Sequence, residues 1–183
     1  MKNITLYVPS IEDYWYEQKV QADPLTMDYN AGYDVSYYGY HYDTGCIDFP
    51  KERWEEVFNK RIHKNRYFAY IKDNDINENV GYVNYHYNKI DNRYECGIVI
   101  ESKYRKKGYS KIALQLLCDI ARSNGIKELY DNFELDRTNT LNIFKKVGFE
   151  IVKEHTWKKF NNEVKGVLVK KVLWLSIKNN LYF

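Results

Sequence analysis

The stretch YECGIVIESKYRKKGYSKIALQLLCDIARSNG, residues 94–125, decides the fold. In its first eight residues Ile98 and Ile100 face one way, and Gly97 and Val99 the other. Both faces are apolar, as in a central strand buried on both sides. The loop SKYRKKGYS then feeds a helix expected from about Tyr109 to Ser123. Ile112, Ala113, Leu116, Leu117, Ile120 and Ala121 make one continuous apolar stripe along it, and Gly125 is placed to stop it. Between strand and helix lie Arg105, Lys106, Lys107, Gly108, Tyr109 and Ser110. A helix start leaves its first N–H groups without partners and adds partial positive charge, so such a turn is ready to hold a phosphate. Gly108 lets the backbone come close, and three cations precede it. Alone, the turn also reads as a plain connection with solvated lysines.

Working outward, residues 3–8 suit a strand, and Pro9-Ser10 opens a helix with Ile11, Tyr14, Trp15 and Gln18 on one face. From Asp23 to Phe49 the chain is rich in Tyr, Gly and Asp without a sustained period, and reads as a long loop with at most one helical turn. Pro50 starts a second helix carrying Trp54, Val57, Phe58, Arg61 and Ile62. RYFAYIK from Arg66 and VGYVNYHY from Val80 form a hairpin, and a turn at Asp91-Asn92 leads into the central strand. After Gly125 come a strand over 128–135, a short helix over 138–147 ended by Gly148, and strands FEIVKEHT and VKGVLVKKVLWLS.

With strand and helix on either side, residues 105–110 resemble the pyrophosphate-binding signature of GNAT acetyltransferases, (Q/R)-x-x-G-x-(G/A). NIFKKVGFE, residues 142–150, is similar to the family's helix ending in a hydrophobic-Gly-Phe turn, and the resemblance runs over roughly 94–152. It implies an α+β fold in a single domain over 1–183: a mixed, mostly antiparallel sheet of about six or seven strands with about four helices. The central strands would splay to form the cleft for coenzyme A. The implied activity is transfer of acetyl from acetyl-CoA to a primary amine of a small molecule or of a peptide or protein terminus. The other possibility is a weak or inactive relative that only binds acyl-CoA.

On that resemblance the amides from Lys106 to Ser110 take the CoA pyrophosphate, with Arg105 adding charge. The backbone near Val99 and Ile100 holds the pantetheine, and Glu134 and Arg137 lie across the cleft. Glu95 matches a glutamate that acts as base in some members, although a strand-end carboxylate reads equally well as solvated; Glu101 is a weaker candidate, read as a loop charge. Three positions depart from the pattern. Ser110 stands for Gly or Ala. Arg137 stands where many relatives have an Asn. Phe144 stands for a Tyr that serves as general acid, so that proton must come from water or another group, such as a tyrosine of the 29–42 loop. The segment between the first two helices forms part of the acceptor wall in the family. Here it has Tyr33, Asp34, Tyr38 and Asp43 and no Lys or Arg between Val20 and Pro50, so an acidic, aromatic wall for a cationic amine is expected.

Composition narrows the remaining classes. A net charge of +3 does not imply nucleic acid, and the lysines at 145, 146, 158, 159, 170 and 171 read as a solvated face. No GxxxxGK[ST] or GxGxxG is present, and His41, His63, His86 and His155 lack metal-ligand spacing, so no metal is expected. Cys46, Cys96 and Cys118 suit reduced, structural thiols. No apolar run reaches the roughly 20 residues needed to cross a bilayer, and the N-terminus lacks a signal-peptide core, so no membrane association and a cytoplasmic setting are expected. Monomer and homodimer both stay open, the latter through a strand over 168–176.

Overall fold

A computed structural model describes residues 2–63 and 65–173. Seven strands form one sheet in the order β1-β2-β3-β4-β5-β7-β6: β1 Ile4–Tyr7, β2 Arg66–Asp73, β3 Glu78–Asn88, β4 Arg93–Ile100, β5 Glu128–Glu134, β6 Glu150–Lys159 and β7 Asn162–Val172. Every neighbouring pair is antiparallel except β4 and β5, so the sheet is mixed, as expected. Residues 174–176 of the expected last strand lie outside the described residues.

Five α-helices are present among the described residues: α1 Trp15–Gln21, α2 Pro24–Met27, α3 Trp54–Arg61, α4 Tyr109–Ser123 and α5 Thr138–Val147. The one beyond the expected four is α2, a single turn inside the segment read as a loop. Asp23 caps it, accepting from the Leu25 N–H at 3.1 Å, and Pro24 fills its first position. The rest of that segment is also tied down. A 3-10 turn follows over Asp28–Asn30, Tyr40 bridges Ile47, and Gly32 N–H donates to Tyr42 O at 2.7 Å.

The helices cover the sheet on both faces. On one, α4 and α5 pack Ala113, Leu114, Leu117, Ala121 and Phe144 onto Val83, Cys96, Leu129 and Phe133. The buried stripe of α4 includes Leu114 and Cys118, which the simple periodicity missed, while Ile112, Leu116 and Ile120 are only partly covered. On the other face α1 sets Tyr16 and Val20 against Phe68, Tyr70, Tyr82 and Val99. Its buried side also differs from expectation: a 3-10 turn over Ile11–Tyr14 precedes α1 and shifts the phase, leaving Trp15 exposed and burying Tyr16 and Glu17. Tyr14, Phe49 and Trp54 form a third cluster where α3 meets that first turn. Cys46, Cys96 and Cys118 are free and buried. No described helix is long and apolar enough to cross a membrane.

Candidate active site

β4 and β5 meet in the one parallel junction among the described strands. The two strands are registered at a single pair, Glu95 with Tyr130, and then part toward Ile100 and Glu134. At the open end the chain leaves β4, makes a 3-10 turn over Ser102–Tyr104 and enters α4 through residues 105–108. Lys106 has φ 62° and Gly108 φ 87°, two left-handed residues that turn successive N–H groups the same way and form a nest for an anion. The N–H groups of Lys106, Lys107 and Gly108 have no hydrogen-bond partner among the described residues. A methyl placed on Gly108 would meet nothing within 4 Å, so the approach to these amides is open. A diphosphate fits this loop by charge, geometry and access.

The α2 segment roofs that end of the cleft. Ser102 N–H donates to Thr26 Oγ1 at 2.8 Å, Ser102 Oγ donates to Asp23 at 3.0 Å, and Arg105 donates to Thr26 O at 2.6 Å. Tyr29 packs against the Val99–Tyr82 cluster while the Arg137 guanidinium sits 5.2 Å over its ring, so its side chain spans the gap between the two strands. Burial pushes the Tyr29 phenol up to about 12. Beside it Tyr33 donates to Glu134 at 2.6 Å, and Lys159 reaches the same carboxylate at 2.7 Å and Tyr29 O at 3.2 Å. At the root of the cleft, on the α4 side, burial lifts the Asp131 carboxyl to about 7.

On the α1 side a cavity of about 250 Å³ lies over β2 and β3, with Glu17, Gln21, Arg61, Arg66, Asn84 and His86 among its lining. Glu17 is buried and receives Arg61 bidentately at 2.6 and 2.7 Å and Gln21 Nε2 at 2.8 Å. That leaves Gln21 Oε1 as a buried acceptor without a partner among the described residues. Asn84 stands opposite Gly97 in the β3–β4 register, and its carboxamide lies against the space that a side chain at Gly97 would fill. His86 stands opposite Glu95, its Nε2 3.8 Å from Glu95 Oε2, while Arg93 holds Glu95 Oε1 at 2.7 and 2.9 Å. Burial, then the nearby Arg66 charge, lowers the His86 pKa against the opposing pull of Glu95. His86 is therefore a neutral imidazole near pH 7, able to accept a proton.

A family model for the Acetyltransferase (GNAT) family matches residues 33–149. The chain belongs to the GNAT acetyltransferase family. Acetyl-CoA is the cofactor this family uses. The fold is shared with spermidine N-acetyltransferase from Vibrio cholerae, solved with CoA and spermine, at a TM-score of 0.73 and 16% identity over 93% of this chain and 95% of that one. An N-acetyltransferase from Staphylococcus aureus Mu50 gives 0.72 at 15% identity over 94% and 99%. The Salmonella typhimurium protein yncA, solved with its cofactor acetyl-CoA, gives 0.72 at 12% over 98% and 99%. No match was found among curated proteins.

Within this GNAT fold the residues anticipated from sequence fall into separate groups. Val99 and Ile100 end β4 at the parting of the strands, and 105–110 cap α4. The Arg105 guanidinium is engaged with Thr26 and, at 3.4 Å, with Asp28. Tyr109 turns its hydroxyl away to Asp73 at 2.7 Å, so at the nest only its main chain is available. Arg137 caps α5 at the facing edge of the cleft. Of the acceptor-loop residues, Tyr33 reaches the cleft through Glu134, whereas Asp34, Tyr38 and Asp43 are exposed, and Tyr38 stacks under Arg53 at 4.4 Å. Glu101, read as a loop charge, is instead buried and paired with Lys19 at 2.8 Å, which pins α1 to the end of β4. Phe144 is 1% exposed and packs on Phe133 and Phe149, so it does not reach the cleft. His86 and Glu17 went unmarked as site residues, and Tyr29 was covered only as one of the tyrosines of the 29–42 loop; the signal for His86 lay in strand register, which places it across from Glu95.

Proposed function

We propose that this protein transfers the acetyl group of acetyl-CoA to an amine seated in the cavity over β2 and β3. One observation carries the reading: β4 and β5 pair at a single position and part beside a turn of unpartnered amides, and the cavity over β2 and β3 lies on the neighbouring strands, with the Asn84 carboxamide against Gly97. Acetyl-CoA supplies the activated thioester. The amides of 106–110 and the Arg137 charge bind its diphosphate end, and the Val99–Ile100 backbone orients its pantetheine arm. Gln21 Oε1 and Asn84 orient the amine. The attacking amine must be neutral and must lose a proton, which His86 accepts, with Glu95 stabilising the imidazolium and Arg93 holding Glu95 in place. The leaving sulfur needs a proton on the other side, and the Tyr29 hydroxyl supplies it in place of the tyrosine missing at Phe144.

The test is calorimetry with acetyl-CoA followed by release of free CoA across an amine panel. Binding with turnover is expected, and Tyr29→Phe is expected to lower kcat by about 10²-fold with acetyl-CoA affinity kept. No binding by the intact protein would reject the assignment. The buried Phe144 favours a second reading, an acyl-CoA-binding protein without catalysis; binding with no turnover on any amine would select it.

A further inference from the structure

A second cavity of about 550 Å³ opens where α3 ends and β2 begins, lined by Lys60, His63, Asn65, Arg66, Tyr87 and Lys89. Arg66 also lines the acceptor cavity, so the two spaces meet at its side chain. Among the described residues no carboxylate lines this outer groove. Lys60 is engaged by Glu56 at 2.5 Å, but His63, Arg66 and Lys89 have no acidic partner among the described residues. The carbonyl end of α3 carries partial negative charge, and Arg66 and Lys89 of the groove lie beyond it. The inner cavity differs in character. Its Glu17–Arg61 pair is internally neutral, and its unpartnered acceptor, Gln21 Oε1, suits an N–H donor.

We infer that the acceptor is an amine with an anionic group, carboxylate or phosphate, that lies in the outer groove against Arg66 and Lys89. The inference rests on the transferase reading and specifies its substrate class. An amine directed at Gly97 leaves the remainder of the molecule at Arg66, where a guanidinium binds either anion in the same forked geometry. A polyamine entering the same way would carry its distal ammonium into a groove of like charge.

Matched acceptors test this: alanine against alaninamide for carboxylate, phosphoethanolamine against ethanolamine for phosphate, and spermidine as the cationic comparator. At least one anionic member is expected to exceed its neutral partner by about tenfold or more in kcat/KM. Lys89→Gln should remove that preference through KM with kcat held, and Arg66→Gln should remove it through KM while also raising the His86 midpoint; both residues are exposed, so folding is not at stake. Spermidine or the neutral amines as the preferred acceptors, with Arg66→Gln silent, would overturn the inference and leave the transferase reading standing. Calorimetry of the CoA-loaded protein with the same amines separates the opposite case. Tight binding of an anionic amine that Arg66→Gln abolishes, with no turnover, would keep the groove and reject the transferase. No binding of either anionic amine would reject the groove.

Discussion

At the scale of single residues, His86 matters most, because in the proposed mechanism its protonation decides when the amine can be activated. It is faced by Glu95 on β4, with Arg93 behind that carboxylate, by Arg66 on β2, and by the neutral Glu17–Arg61 pair from α1 and α3. Burial and Arg66 favour the neutral ring, so the lower limb of kcat/KM against pH should have its midpoint below 6.5. Glu95→Gln removes the one group pulling the other way, and the midpoint should fall further. His86→Gln should cost about 10²–10⁴-fold and erase that limb, leaving only the amine's own titration. A limb that stays put in His86→Gln would assign the proton to another group. Gly108 was legible in the sequence as a residue that lets the backbone come close, and Phe144 only through the family resemblance, as a position lacking a hydroxyl. His86 was not legible, since its meaning comes from a residue nine positions away across a strand pair.

At the scale of elements, α4 shows what its first turn does. A side chain at Gly108 meets no neighbour, so Gly108→Ala is penalised only by its φ of 87°, about 1–2 kcal/mol. If that strain is relieved by turning the amides, acetyl-CoA should bind about tenfold more weakly in calorimetry. The melting temperature should fall by only a few degrees. Unchanged affinity would mean that the nest does not hold the diphosphate. Strand and helix order was readable here because periodicity and glycine stops are local signals. The 23–49 segment was not readable. Its order comes from partners distant in sequence, such as Ser102 for Asp23 and Thr26, and Phe160 for Gly32.

At the scale of the whole molecule, two packed faces hold the parted strands open, and the buried Glu17–Arg61 pair ties α1 to α3 on the acceptor side. Glu17→Gln strands a guanidinium against Phe68 and Tyr14 and should cost about 3–5 kcal/mol, read as a melting temperature lower by roughly 10 °C. Replacing both partners by Leu should recover most of that loss. If the single change alone is harmless, the pair serves the cavity rather than the fold. The parting itself was foreseen only through the family resemblance; the single Glu95–Tyr130 pairing that produces it belongs to no local pattern.

The hairpin of β6 and β7 also has a consequence for how the protein is made. β7 is the far neighbour of β5, the tip of the hairpin fastens the roof through Phe160 N–H to Gly32 O at 2.8 Å, and Lys159 ties Glu134 to Tyr29. During synthesis the diphosphate nest can form once α4 has left the ribosome, but one wall of the cleft and its cover must wait for the last twenty or so described residues. A nascent chain stalled at Phe149 would therefore hold every residue proposed for catalysis and still be unable to assemble them.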